Sequence, residues 1–421
     1  MFQSIPYRFR VLAFLCSLTA LTYLDRICIS LVGVRVKADL GLSNTQFGWV
    51  LGAFSLAYAL FEIPAGILGD KIGARAVLIR IVIWWSVCTA LTGMVSGLFS
   101  LIIIRFLFGV GEAGTYPNSM IVISRWFPKN ETGRALAWLG IGSQLGSAIA
   151  PWIIVTLAGY YGWRIPFFVN GAIGIVWVLA CYFGFRNSPA EVKKISPSER
   201  EKIESGSYYT SSQHSIPWRV VLNNRNLLSL LLMYFCCQWA QYFFVAWMPL
   251  YLQEGRHFSE SEMKNIAFVI FLVGICGNLV GGAAGDYLVR KKGLKIGRRA
   301  VGITGLASCG TLIFISSVVP NQFLSALCLI GANFSFTFAV MSSYAVCADI
   351  GRNNCGTVTG SMNFFGQTGA FFLAIFFGRI ADATHSLKYP MFLLAFVISM
   401  GAVFWTLIDP TKKIRELKLE K

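Results

Sequence analysis

The chain has 421 residues, of which 56 % are hydrophobic and 13 % charged, against a charged share of about 25 % in soluble proteins. So few charges cannot cover a water-soluble surface of this size, which excludes a soluble enzyme. The balance is basic, 36 Lys and Arg against 19 Asp and Glu for a net +17, but the basic residues come in short bursts between long apolar runs. Nucleic-acid binding needs them clustered on one soluble face, so it is excluded too. A membrane span takes about 20 mostly apolar residues. In chain order such stretches fall at 8–30, 46–69, 76–95, 98–123, 134–159 and 164–186, then at 226–252, 264–289, 299–319, 322–350, 356–380 and 387–408. The prediction is an all-α integral membrane protein with twelve transmembrane helices in two six-helix bundles. The bundles cover 1–187 and 225–421, and a polar linker at 188–224 carries Pro189, Lys193, Lys194 and His214.

Of the 36 basic residues, 27 fall on the side of both termini and seven on the other, while Arg26 and Arg105 lie inside spans. Basic loops stay cytoplasmic, so both termini are expected there. The first apolar run is too long for a signal-peptide core and lacks a small-residue cleavage site. Most of the 11 cysteines sit in apolar runs as small hydrophobes, with no CxxC pair. No metal or cofactor is expected. The sequon Asn130-Glu131-Thr132 falls on the cytoplasmic side, so it is not read as a glycosylation site.

The segment after span 2 reads Gly66-Ile-Leu-Gly-Asp70-Lys71-Ile-Gly73-Ala-Arg75. After span 8 comes Gly282-Ala-Ala-Gly-Asp286, followed by Arg290, Lys291, Lys292 and Gly293. Glycine lets helices approach closely, and an aspartate can brace basic residues or a helix N-terminus. Two copies at corresponding places indicate an internal repeat. The first copy resembles the signature loop of the major facilitator superfamily, which implies the twelve-helix major facilitator fold with a central substrate cavity. Gly66, Asp70, Lys71, Gly73, Arg75 and Asp286 are then the expected gating-loop residues.

An ionisable side chain deep in a span costs about 2.5–3.5 kcal/mol on insertion scales. Asp25, Arg26, Glu62, Arg105 and Glu112 are such residues, all in the first half. The second half offers neutral polar groups, among them Gln238, Gln241, Asn278, Asn333, Asn363 and Gln367. Arg105 and Glu112, seven apart, lie within ~20° on one helix face and ~10 Å along it, so they bridge only partly unless a third group joins them. Glu112 is a candidate proton carrier for which Arg105 competes with the proton; the alternative is a static ion pair that fixes packing. Asp25 and Arg26 diverge by 100° and face different partners. Arg26 is a candidate receptor for a carboxylate or phosphate, or else a neutraliser of Asp25 or Glu112. Glu62, four residues after Tyr58 and just before Pro64, is read as structural.

Four further stretches resemble the anion:cation symporter family. They are Tyr23-Leu-Asp25-Arg26, Arg105-Phe-Leu-Phe-Gly109-Val-Gly111-Glu112-Ala-Gly114-Thr-Tyr-Pro117, Trp126-Phe-Pro128 with Gly133-Arg134-Ala135, and Gly162-Trp163-Arg164-x-Pro166-Phe167-Phe168. The resemblance implies proton sites at Asp25 and Glu112, a substrate carboxylate at Arg26, and Arg105 paired with Glu112. It also implies a cavity lined by Tyr23, Tyr58, Gln144 and Asn363. Tyr234, Gln238, Gln241 and the run Ala348-Asp349-Ile350-Gly351-Arg352-Asn353-Asn354 depart from the family pattern, so the substrate is not carried across. The short loop at 31–45 points to a bacterial inner membrane. The expected function is proton-coupled import of a small organic anion such as a sugar acid by a monomer in the lipid bilayer. Organic-phosphate/phosphate antiport, proton-driven export of an anionic metabolite, and a non-transporting receptor are the alternatives.

Overall fold

The computed structural model describes residues 6–192, 195–204, 224–351 and 355–412, apart from the side chains of residues 129, 130, 197 and 204. Lys193, Lys194, His214, the run from Arg352 to Asn354, the basic tail after Lys412 and the Asn130 side chain therefore lie outside the described residues. Among the described residues, twelve helices are long and apolar enough to cross a membrane, one for every predicted span.

In the first half these are α1 (Tyr7–Leu31), α3 (Asn44–Ile72), α4 (Ala74–Thr92), α5 with α6 (Leu98–Glu112, Thr115–Trp126), α7 (Lys129–Tyr161) and α8 (Ile165–Gly184). The loop expected at 31–45 instead contains a short helix, α2 (Gly33–Leu40), which stops at Gly41 in the left-handed conformation. Span 4 is interrupted at Ala113 and Gly114, between α5 and α6. A short α9 (Pro197–Glu204) follows in the linker. The second half comprises α10 (Arg225–Tyr242), α11 (Glu260–Lys292), α12 (Leu294–Val318), α13 (Gln322–Gly351), α14 (Cys355–Thr384) and α15 (Lys388–Leu407). Beyond α10, span 7 runs on through two π-helical stretches, Phe243–Trp247 and Tyr251–Gly255.

The internal repeat extends to the helix ends. Before α3, Ser43 and Gln46 form a capping box; before α11, Ser259 and Glu262 exchange the same two bonds, 2.8 and 3.3 Å. Such reciprocal bonds satisfy two orphan N–H groups of a helix start. The two helices end alike, at Gly73 (φ 91°, ψ 134°) and Gly293 (φ 85°, ψ 163°). Side chains are all but barred from that backbone region.

Contacts divide the chain into two compact units. One is Met1–Ser211 with Val245–Phe271; the other is Ser212–Phe244 with Leu272–Lys421. In the first, α1 packs along α7, α3 along α5, and α4 along α8. A methyl group on Gly146 would stand 2.1 Å from the Ala20 carbonyl oxygen, so α7 and α1 touch backbone to backbone there. At one end of this unit, the backbone N–H groups of Tyr7 and Arg8 donate to Glu199 of α9 at 3.1 and 3.0 Å. A carboxylate at a helix N-terminus answers both the orphan donors and the dipole. At the other end, Arg35 of α2 donates to both Glu260 oxygens, 2.9 and 2.5 Å, and Lys37 meets Glu254 at 2.9 Å.

In the second unit, α12 packs against α13 and α15, and α10 against α14 and α15. Asn226 and Asp409 tie the start of α10 to the chain end: the Asp409 N–H donates to Asn226 Oδ1 at 2.6 Å, and Asn226 Nδ2 donates back to the Asp409 carbonyl at 2.8 Å.

Candidate functional site

All five intramembrane charges are buried, Glu112 completely and Asp25 and Arg105 at 3 % exposure. They sit within predominantly apolar membrane-length helices, so each depends on bundle neighbours to compensate its charge. Arg26 and Glu112 find each other. Arg26 Nε donates to Glu112 Oε1 at 2.9 Å, and Nη2 reaches the same oxygen, while Oε2 accepts no hydrogen bond. Glu112 is the last residue of α5, where the break at Ala113–Gly114 begins. The Thr115 hydroxyl donates to its carbonyl at 2.8 Å, closing the turn.

Aromatic rings surround the cations. The Arg26 guanidinium lies 4.9 Å from the Tyr23 ring centroid and 5.0 Å from those of Phe54 and Tyr58. Arg105 lies 5.2 Å from Phe54 and 4.7 Å from Phe108, so both guanidiniums share the Phe54 ring. Cation–π attraction gains strength where water is absent, to about 2 kcal/mol.

The expectation that Arg105 supplies the partner of Glu112 is corrected in one respect. The hydrogen bonds on Glu112 come from Arg26, across two helices, and Arg105 acts on Glu112 and on Asp25 through space. The reason is the ~10 Å along one helix that separates positions 105 and 112. The divergence of Asp25 from Arg26 holds. Asp25 turns toward Arg105 and Asn170 of α8; Asn170 acts on the carboxyl from outside hydrogen-bond geometry, as neither of its amide atoms makes a bond.

Tyr58, whose ring faces the Arg26 guanidinium, is within electrostatic reach of Glu62, Glu112 and Tyr116. Glu62 is buried on α3, beside the in-helix Pro64. Gln144 is half-buried on α7, next to Ser143, whose hydroxyl meets Tyr116 at 2.6 Å. In the second unit, Gln238 is buried and packs on Gly366 of α14. Gln241, three residues after Gln238, and Asn363, three residues before Gly366, are half-buried. Tyr234 bonds Tyr344 hydroxyl to hydroxyl at 2.8 Å.

Of the gating-loop residues, Asp70, Lys71 and Asp286 are exposed. Arg75 is held by the end of span 6, its N–H donating to Asn187 Oδ1 at 2.8 Å and its guanidinium to the Tyr182 carbonyl. Asp286 braces a basic residue as expected: Arg298 lies 3.6 Å from it and 3.1 Å from Asp349. Gly66 packs against Pro117 of α6. Residues absent from the sequence reading are Phe54, Phe108, Tyr344 and Asn170. An asparagine inside the apolar run of span 6 was the available signal for the last. Among the described residues no group of three His, Cys, Asp or Glu side chains is placed to hold a metal ion.

Comparison with known proteins places this arrangement. The profile of the Major Facilitator Superfamily matches residues 15–374. The chain is similar to the probable sulfoacetate transporter of Cupriavidus necator, 30 % identical over 416 residues, with 97 % of this chain and 95 % of that one covered. It is 29 % identical over 403 residues to the hexuronate transporter of Bacillus subtilis, with 94 % and 92 % covered. In fold it is similar to a bacterial homologue of the human lysosomal transporter Spinster, with a TM-score of 0.76 at 19 % identity over 96 % of this chain and 97 % of that one. A profile match running from the first span into the eleventh, on a chain with twelve membrane-length helices, leads to one assignment: this is an integral membrane transporter, not an enzyme, and it belongs to the major facilitator superfamily.

Proposed function

We propose that the chain is a proton-coupled symporter that imports a small organic anion, a sugar acid or other carboxylate, by alternating access. The observation that carries this reading is the buried Arg26–Glu112 pair, in which one guanidinium serves an internal carboxylate. A substrate carboxylate is chemically equivalent to the Glu112 side chain and competes with it for Arg26. Once displaced, Glu112 sheds the cost of a lone buried charge by taking a proton. Asp25, on the adjoining face of α1, is the second proton carrier, and Arg105 steadies whichever acid is charged.

The electrical term favours such coupling. Each negative charge moved inward against the membrane potential costs about 2.3 kcal/mol per 100 mV, and a co-transported proton cancels it. Tyr23, Tyr58 and Gln144 from the first half, with Gln238, Gln241 and Asn363 from the second, are proposed to hydrogen-bond the uncharged part of the substrate. Gly66, Asp70, Lys71, Gly73, Arg75 and Asp286 are the proposed gating-loop residues. Relatives named for hexuronate and sulfoacetate support an acidic substrate. The proposed setting is a bacterial inner membrane, with both termini cytoplasmic and the protein monomeric. In proteoliposomes supplied with hexuronate, sulfoacetate or glucarate, Glu112→Gln is expected to abolish accumulation driven by a proton gradient while leaving counterflow intact. A variant that loses neither activity would sink this role for Glu112.

A further inference from the structure

Beside the Arg26–Glu112 pair, the first unit holds a second set of buried polar groups on another face of α1. Asn170 of α8 is 1 % exposed, and neither its Nδ2 nor its Oδ1 makes a hydrogen bond. Helices α1 and α8 run antiparallel, and two bonds fix their register: Tyr7 Oη donates to the Gly184 carbonyl at 2.9 Å, and Trp177 Nε1 donates to Ser17 Oγ at 2.9 Å. Counting from the second bond, eight residues along α1 and seven along α8, about 12 and 10 Å, bring Asp25 level with Asn170. Asp25 is 3 % exposed and its Oδ1 accepts no bond.

Helix α4 packs along the same stretch of α8. A Cβ on Gly174 would meet Ser86 Oγ at 2.0 Å, and one on Gly171 would meet the Ser86 carbonyl and Ala90. That register carries Thr89 to the level of Asn170, and the Thr89 hydroxyl, 3 % exposed, is also without a hydrogen bond. Buried polar atoms without a hydrogen bond are costly, and α1, α8 and α4 carry such atoms at one height.

We infer that Asn170 is a positioning residue for the Asp25 carboxyl, with Thr89 as its companion. An amide donates N–H to a carboxylate and accepts O–H from a carboxylic acid, so it orients the group in both protonation states without adding charge, but unequally, because the bond to the ionised form is the stronger. A hydroxyl does the same with one atom. The inference rests on the proposed role of Asp25 as a proton carrier. The titratable and charged groups around Asp25 are Cys28 and its neighbour Arg26 on its own helix and Arg105 and Glu112 on α5; Cys88 on α4 lies within reach of Arg105. Tyr116 stands on α6, which also packs on α1. Helix α7 between 142 and 158 and α8 between 165 and 180 carry no titratable group.

The test is infrared difference spectroscopy of the full-length protein in lipid nanodiscs during a pH titration, with Asp25→Asn identifying the Asp25 carboxyl band. Asn170→Leu, branched at the same carbon but without donor or acceptor, is expected to move the midpoint of that band by about one pH unit, a tenfold change in proton affinity. Thr89→Val is expected to move it less, and Asn170→Ser to restore most of the native midpoint. If Asn170→Leu does not fold, Thr89→Val and Asn170→Ser carry the test. Midpoints that stay at the native value in every folded variant overturn the positioning role and leave the proposed function standing. A titration in which Asp25→Asn removes no band overturns the proton-carrier role of Asp25 and this inference with it.

Discussion

Replacing Arg26 by methionine tests what the buried ion pair does, because methionine keeps much of the length against Tyr23, Phe54 and Tyr58 and removes the charge with its N–H donors. Breaking a buried pair from one side leaves an uncompensated charge, at about 3–5 kcal/mol. Glu112 is completely buried and its hydrogen bonds come from Arg26, while Arg105 reaches it only through space and without a hydrogen bond, so the variant keeps it inside as the acid. That sets a ceiling. Protonating a carboxyl whose free value is about 4.3 at pH 7 costs about 3.7 kcal/mol, at 1.36 kcal/mol per unit. The sign follows: the folded variant holds a proton that its unfolded state releases, so the destabilisation grows with pH by about 1.4 kcal/mol per unit and fades as pH falls toward about 4.3. Adding Glu112→Gln to Arg26→Met removes the trapped acid and is expected to recover most of the loss. Glu112→Gln alone is expected to cost less than Arg26→Met alone, since three ring faces still receive the guanidinium. The assay is reversible unfolding of purified protein in mixed micelles at several pH values. An Arg26→Met deficit that does not change with pH, or that the double variant does not relieve, refutes the reasoning.

Two further outcomes follow from helix ends. At Gly73 and Gly293 both alanine and asparagine are expected to cost about 1–3 kcal/mol, because their φ and ψ lie in a region open only to glycine, whereas asparagine at Gly41, in ordinary left-handed conformation, costs much less; equal losses at all three sites in unfolding measurements would contradict this. Asp409 lies beyond the last span, and its carboxyl is held at about 2, first by the Thr411 hydroxyl at 2.6 Å and then by Lys295 at 3.0 Å. A folded value below the unfolded 3.8 gives stability that is present above pH 3.8 and lost as pH falls through 2. Asp409→Asn is therefore expected to cost about 1–2 kcal/mol near neutral pH and nothing measurable in strong acid; a deficit that persists in acid would point to the backbone instead.

What could be read from the sequence follows from which signals are local. Twelve apolar runs and the Gly-x-x-x-Asp repeat are local, and each has its helix or helix end. Charged residues in hydrocarbon are equally conspicuous, and Asp25, Arg26, Arg105 and Glu112 do converge. Their pairing stayed open between alternatives, Arg26 with Glu112 among them, because it depends on the rotation and height of two packed helices and not on spacing within one. The α2 helix was hidden for the opposite reason: eight residues with Arg35, Lys37 and Asp39 among them carry too little apolar pattern to stand out from a loop. Its helix is supported by partners far along the chain, Glu254 and Glu260, and by Arg164, which meets Asp39 at 2.9 Å. Asn170 escaped notice because one uncharged amide hardly lowers the hydropathy of span 6.

The bonds from Arg35 and Lys37 also bear on how the chain is made. Their acidic partners lie 225 and 217 residues further on, and the first compact unit takes in Val245–Phe271. A ribosome that has delivered six spans has therefore not yet delivered that whole unit. Two cations at one end of the nascent bundle wait for spans 7 and 8; until then Arg35 has the Ala158 carbonyl and Lys37 has Asn44, neutral partners only, and water serves the rest. Severing the chain in the linker separates α2 from the acids that complete it, so co-expressed halves have to meet before either cation finds its counter-charge.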